Sequence, residues 1–203
     1  MCVITLDEAK ELVLATCLQM VKSGLVIGTS GNVSQRVGEN QVVISPSAIL
    51  YESLEKNDMV VIDKEGHTIE GIHRPSSEYP MHLAIYKKRP DIAAIMHTHS
   101  PYASAFAVAR KTIPAILEEV GHILKGPVPV TKYAPIGTEK LAREAAHNLE
   151  QNNAILLANH GVVGVGENLE QALTVCLVVE KTAKVYLMAQ QLGTPYIVPA
   201  QKS

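Results

Sequence analysis

Two histidines stand two residues apart at the end of an apolar stretch of the chain. His97 and His99 follow the run Ile-Ala-Ala-Ile-Met at residues 92–96, which is typical of a buried β-strand. Residues i and i+2 of a strand point to the same side, so the two imidazoles should be neighbours. Neutral imidazole is a common ligand of Zn²⁺. The pair indicates a metal site, although two polar residues that only close a strand would give the same pattern.

A third histidine stands in a similar position. His160 follows the apolar run at residues 154–158 and precedes Gly161, which allows close approach of the backbone. Alone, it could equally cap a turn. Together with His97 and His99, however, it completes a set of three protein ligands, which is the pattern of a catalytic zinc with one open position.

Three short turns rich in hydroxyl groups and glycine could hold an oxyanion. They are Arg-Pro-Ser-Ser-Glu at residues 74–78, Gly-Thr-Ser-Gly-Asn at 28–32, and Ser-Pro-Ser at 45–47. The first precedes a helix predicted from Pro80, where free backbone N–H groups attract anions, although an ordinary helix cap explains it too. No Gly-Lys-Ser/Thr follows the glycine turn, so it is not a P-loop. With three histidines and one carboxylate, this set suits a phosphorylated substrate whose carbonyl is polarised by a metal.

The elements that must position these residues alternate along the chain, which favours an α/β layered domain. Apolar periodicity, caps and glycines predict helices over 5–24, 80–89, 101–110, 137–151 and 168–190. They predict strands over 41–45, 58–63, 92–99, 128–130 and 154–158. The proline-rich stretch 114–135 is expected to be an extended loop or a subunit contact. We expect one domain over residues 1–203.

Composition and charge exclude several classes of function. A 47% hydrophobic content over 203 residues is enough for one sizeable core. A net charge of −2 without a basic run argues against nucleic-acid binding. No apolar run approaches the ~20 residues that span a bilayer, and residues 1–10 do not resemble a signal peptide. We therefore expect a soluble, cytoplasmic protein without a membrane partner, in which Cys17 and Cys176 are small buried side chains.

These motifs, in this order, resemble those of the class II aldolase/adducin family, with the L-fuculose-1-phosphate aldolases as the nearest subgroup. The resemblance rests on the turns at 28–32, 44–47 and 75–78, on His-Thr-His at 97–99, and on Asn-His-Gly at 159–161. It extends from about residue 5 to about residue 192. It implies a single-domain, three-layer α/β/α fold with a central, mostly antiparallel sheet flanked by helices. It also implies a homotetramer with active sites at subunit interfaces.

The resemblance also assigns roles to residues of this chain. It implies one Zn²⁺ per subunit, with Co²⁺ or Mn²⁺ as alternatives, held by His97, His99 and His160. It makes Glu78 the catalytic carboxylate, which can also approach the metal in an empty site. It places substrate phosphate on Thr29, Asn32, Ser47, Ser76 and Ser77. The reaction implied is cleavage of a ketose 1-phosphate, such as L-fuculose 1-phosphate, to dihydroxyacetone phosphate and an aldehyde.

One departure from the fuculose enzymes leaves the substrate open. Those enzymes supply a tyrosine to the neighbouring subunit shortly after an Ile-Pro-Ala-Ile segment, whereas here residues 113–116 are followed by Leu117, Glu118 and Glu119. Glu118 or Glu119 could replace that proton donor, or they could be a solvated pair. An aldolase for 5-deoxyribulose or methylthioribulose 1-phosphate, or a related epimerase or dehydratase, is the alternative. A non-catalytic adducin-like module would be expected to lose the histidines. His82 could serve the site or face solvent.

Overall fold

A single sheet of seven strands runs through the computed structural model, which describes residues 4–199. Cys2 and the first residues of the N-terminal stretch considered above lie outside it. The strands are β1 (Asn32–Val37), β2 (Gln41–Ile44), β3 (Val60–Asp63), β4 (Thr68–Glu70), β5 (Ala94–Thr98), β6 (Ala154–Leu157) and β7 (Gly161–Gly166). Their order across the sheet is β4-β3-β2-β1-β5-β7-β6. Every neighbouring pair is antiparallel, which confirms the predicted sheet type.

Five α-helices cover the two faces of this sheet. They are α1 (Leu6–Lys22), α2 (Tyr79–Lys88), α3 (Pro101–Ala109), α4 (Glu139–Leu149) and α5 (Leu169–Leu192). Helix α1 begins with the expected capping box of Thr5 and Glu8. Among the described helices, each is too short or too polar to cross a lipid bilayer.

The two faces of the sheet bury separate apolar cores, because alternate strand residues point to opposite sides. On β5, Ile95 packs with the α2 and α4 side, whereas Ala94 and Met96 pack with the α1 side. Helices α3 and α5 complete a third cluster against β6 and β7. The three-layer α/β/α architecture is therefore confirmed. Cys17 and Cys176 are buried, as expected.

Three strands were not predicted, and one predicted strand is wrong. β1 carries polar residues that face α2, and β4 is short and exposed, so neither shows an apolar signal. β7 contains three glycines; a Cβ at Gly164 would lie 2.5 Å from the Cys176 sulfur, so this strand needs glycine for close packing of α5. Residues 128–130 form only isolated bridges, to Ile113 and Leu156.

Candidate active site

The three predicted histidines meet at one end of the sheet. His97 lies in β5, His99 follows that strand, and His160 lies in the turn between β6 and β7. Because β5 pairs directly with β7, the turn is brought beside the end of β5. The Nε2 atom of His97 lies 2.9 Å from that of His99 and 3.2 Å from that of His160. The three side chains could therefore hold one metal ion.

The electrostatics keep these imidazoles neutral, which is the form that binds a metal. Burial, followed by the neighbouring His99, lowers the pKa of His97 to about 3. Burial, followed by the neighbouring His97, lowers the pKa of His160 to about 3, and burial also lowers the pKa of His99. His97 donates its Nδ1–H to the carbonyl oxygen of Val162 at 2.8 Å, which leaves the Nε2 lone pair for a ligand.

Glu78 completes the group of donor atoms. It is buried at the N-terminus of α2, with Oε2 3.2 Å from His97 Nε2 and Oε1 3.7 Å from His160 Nε2. Oε2 accepts a hydrogen bond from Asn32 at 2.9 Å. Oε1 accepts none from the described residues although it is buried. A buried carboxylate oxygen that has no hydrogen-bond donor and lies beside three neutral imidazoles is suited to bind a divalent cation.

The remaining predicted residues line a cleft of about 140 Å³ next to the histidines. Besides Glu78, His99 and His160, this cleft contains Thr29, Asn32, Ser47, Ser76 and Ser77. A larger cleft of about 490 Å³ lies beside Arg36 and Lys64. Still larger clefts, of about 510 and 650 Å³, lie elsewhere on the described chain, so size alone does not mark the site. We identify the site by its convergent metal donors and hydroxyl groups instead.

Backbone pairing explains why these separate turns share one cleft. The turn after β2 pairs with the segment before α2: Ser76 donates its N–H to the Ser45 carbonyl at 3.1 Å, and Ser47 donates its N–H to the Arg74 carbonyl at 3.0 Å. The glycine turn lies against β5, where a Cβ at Gly31 would be 2.5 Å from the His97 carbonyl oxygen. Each turn is thus fixed by a strand of the sheet, and the hydroxyl groups are held in place before a ligand binds.

Comparison with known proteins identifies the family. The family model of the Class II Aldolase and Adducin N-terminal domain matches residues 11–187. The chain belongs to this family. It is 38% identical to a 5-deoxy-D-ribulose 1-phosphate aldolase of Bacillus thuringiensis over 96% of this chain and 91% of that protein. It is 37% identical to an L-fuculose phosphate aldolase of Escherichia coli, over 90% of this chain and 84% of that protein.

A solved structure gives the same result for the fold. An L-fuculose 1-phosphate aldolase superimposes with a TM-score of 0.91 at 36% identity, covering 95% of this chain and 91% of that one. These relatives are lyases, and the chain is a class II aldolase, which excludes the non-catalytic alternative.

The structure decides between the two alternatives that the sequence left open for His82. His82 is fully buried on α2, not on the surface, and it hydrogen-bonds to Asn32 and Ser34. Its position one helical turn after Glu78 was the available signal. That signal could not tell which face of α2 is buried, because β1 had not been recognised.

Gly161 is expected to be needed for the metal centre. A Cβ at this position would lie 2.2 Å from the Thr98 carbonyl oxygen, 3.0 Å from His99 Cδ2 and 3.2 Å from His97 Cε1. Gly161→Ala should therefore push the two strands apart, reduce the affinity of the three histidines for a metal ion and lower the free energy of unfolding by about 1–3 kcal/mol. Denaturant unfolding and zinc titration would measure both effects. Gly121→Ala is the control, since its Cβ meets nothing within 4 Å. Equal behaviour of the two variants would contradict the argument.

Proposed function

We propose that this class II aldolase acts on a sugar phosphate: with Zn²⁺ bound, it cleaves a ketose 1-phosphate of the L-fuculose 1-phosphate type to dihydroxyacetone phosphate and an aldehyde. The observation that carries the proposal is the meeting of three imidazole Nε2 atoms with Glu78 beside a hydroxyl-lined cleft. His97, His99 and His160 would hold the zinc. Zinc, when bound, polarises the substrate carbonyl as a Lewis acid. The cytoplasmic location expected from the sequence stays a prediction.

Glu78 is the proposed proton-transfer group. In the synthetic direction, its carboxylate takes a proton from the carbon of dihydroxyacetone phosphate that attacks the aldehyde. In cleavage, the carboxylic acid returns a proton to that carbon after the carbon–carbon bond breaks. Its buried position supports this role, because little water competes for the proton. Asn32 holds one of its oxygens and leaves the other directed at the histidines.

Thr29, Asn32, Ser47, Ser76 and Ser77 are proposed to hold the phosphate. Ser77 is exposed at the start of α2, beside backbone N–H groups that attract anions. Ser76 also accepts a hydrogen bond from the backbone N–H of Glu78 at 3.3 Å, which ties the phosphate site to the proton-transfer group.

The phosphate assignment predicts a selective loss of binding. A hydrogen bond to a charged group contributes about 1.5–3 kcal/mol, so Ser77→Ala should raise KM by about tenfold or more with little change in kcat. It should weaken inhibition by inorganic phosphate to the same degree. Ser23→Ala, which removes an exposed hydroxyl at the C-terminal end of α1 that does not line the cleft, is the control. A lower kcat with unchanged KM would assign Ser77 another role.

The small cleft supports the homotetramer implied by the resemblance, which stays a prediction. A volume of about 140 Å³ is below the roughly 300–1,000 Å³ of typical ligand pockets. Within residues 4–199, Glu78 is the only acid or phenol that lines the cleft, so a second proton donor would come from a neighbouring subunit. Glu119, which the sequence suggested as a possible donor, forms an ion pair with Lys181 of the same chain at 2.9 Å. Sedimentation velocity would test the assembly.

A substrate screen tests the proposed function. The purified protein, loaded with Zn²⁺, Co²⁺ or Mn²⁺, is given L-fuculose, 5-deoxyribulose and methylthioribulose 1-phosphates, and release of dihydroxyacetone phosphate is measured. We expect one substrate to be cleaved most efficiently. 5-Deoxyribulose 1-phosphate is the second candidate for two reasons. The Bacillus relative at 38% identity is named as an aldolase for this compound, and residues 117–119 contain no tyrosine. No release from any substrate would refute the proposal.

A further inference from the structure

A row of buried polar side chains runs from the site into the space between β1 and α2. Asn32 Nδ2 lies 2.9 Å from Glu78 Oε2, and Asn32 Oδ1 lies 2.6 Å from His82 Nε2. His82 Nδ1 lies 2.7 Å from Ser34 Oγ, which lies 2.8 Å from the Tyr86 hydroxyl. All five side chains are buried, with between 0% and 5% of each residue exposed.

The spacing of these residues shows how two elements build the row. Glu78, His82 and Tyr86 are four residues apart, so they lie on one face of α2. Asn32 and Ser34 are two residues apart, so they lie on one face of β1. The row continues past the residues that line the cleft, and the phosphate and metal assignments do not use its outer three members.

The hydrogen bonds can be assigned a direction from the end at the site. A carboxylate that is to take a proton must be ionised, and an ionised carboxylate only accepts hydrogen bonds. The amide N–H of Asn32 therefore faces Glu78, and its oxygen faces His82. His82 must then donate from Nε2, which leaves its Nδ1 as an acceptor.

The other end of the row agrees with this direction. The hydroxyl of Tyr86 lies nearer to Ser34 Oγ, at 2.8 Å, than to the Ser34 carbonyl oxygen, at 3.2 Å. The Ser34 hydroxyl carries one proton, so when it donates that proton to His82 Nδ1, the Tyr86 hydroxyl is the donor to Ser34 Oγ. Burial, followed by the nearby His97, lowers the pKa of His82 to about 3, so this imidazole is neutral with one donor and one acceptor. Arg36 lies over the Tyr86 ring, 5.2 Å from its centroid.

We propose that His82, backed by Ser34 and Tyr86, is a positioning residue for Glu78. Its Nε2–H fixes which way the Asn32 amide points, and the amide holds the Glu78 carboxylate beside the histidines. Without this donor, the Asn32 amide can rotate and present its oxygen to the carboxylate, which repels it. The inference rests on the proposed function, in which Glu78 transfers the proton.

Two substitutions separate positioning from simple packing. His82→Leu fills the same space but removes the donor, whereas His82→Gln keeps an amide N–H that can reach Asn32. We expect His82→Leu to lower kcat by about 10- to 100-fold, the usual effect of removing a group behind a metal site, with zinc content unchanged. His82→Gln should restore most of the loss. His147→Leu, on the exposed face of α4, is the control and should match the wild type.

A spectroscopic measurement tests the assignment without any turnover. The imidazole ¹⁵N shifts of His82 in the zinc-loaded protein should show the neutral Nε2–H tautomer near pH 7, and Ser34→Ala should weaken that preference. An Nδ1–H tautomer or a charged imidazole overturns the proposal, as does His82→Leu with wild-type kcat, or equal losses in His82→Leu and His82→Gln. If His82→Leu does not fold, the ¹⁵N result decides. If the wild type cleaves no ketose 1-phosphate, the proposed function fails, whereas the tautomer is still tested.

Discussion

Glu78→Gln is expected to lower ketose 1-phosphate cleavage by about 10²–10⁴-fold, the usual contribution of a positioned acid–base group. The amide has nearly the same shape as the carboxylate, and its oxygen can still accept the hydrogen bond that Asn32 donates. It cannot carry a proton. The three histidines remain in place, so the metal should stay bound. Steady-state kinetics with zinc analysis of the same preparation would measure both quantities.

A partial reaction shows which step Glu78 serves. The wild type should exchange a carbon-bound hydrogen of dihydroxyacetone phosphate with D₂O in the absence of aldehyde, and Glu78→Gln should lose this exchange in parallel with cleavage. Glu39→Gln, an exposed carboxylate in the turn between β1 and β2, is the matched control. Unchanged exchange would remove Glu78 from the proton transfer, whereas loss of zinc together with activity would show that Glu78 is needed to hold the metal.

The site residues were easier to predict than the elements that hold them. His97 and His160 each follow an apolar run of the sequence, so their positions near strand ends could be predicted from the local pattern alone. β1 could not be predicted in this way. Its residues on the α2 side, Asn32 and Ser34, are polar, and they form hydrogen bonds with Glu78 and His82 instead of packing in the apolar core. On the other face of β1 only Val33 and Val37 are apolar, and Gln35 between them breaks the alternation on which strand prediction depends.

β7 escaped prediction for a different reason. Its glycines look like breakers in a sequence, whereas in the fold they allow the backbone of β7 to approach α5 and the end of β5. Only the tertiary contact explains them. The burial of His82 likewise depends on a tertiary contact, in this case with β1. Because β1 was not predicted, the sequence could not decide whether His82 is buried or exposed.

Removing one proposed ligand tests the proposed metal centre. In His160→Ala, only the two imidazoles of the β5 end remain, and two ligands are too few for the usual three-ligand catalytic site. We expect stoichiometric zinc to be lost and cleavage to fall by about 10³-fold or more, because a Lewis acid contributes several kcal/mol and each 1.36 kcal/mol is tenfold. Zinc analysis after desalting would measure the first effect, and steady-state kinetics the second.

Thermal unfolding separates loss of the metal from loss of the fold. Zinc at about 100 times its Kd should stabilise the wild type by about 2.7 kcal/mol, which corresponds to a rise in Tm of roughly 5–10 °C for a chain of this size. Without zinc, His160→Ala should melt close to the wild type, because the buried Nδ1 of His160 has no hydrogen-bond partner among the described residues. Added zinc should not raise its Tm. His147→Ala, an exposed histidine of α4, should keep the full rise. If His160→Ala still bound one zinc and showed the same rise in Tm, the ion would have to bind elsewhere, and the proposed chemistry at Glu78 would lose its Lewis acid.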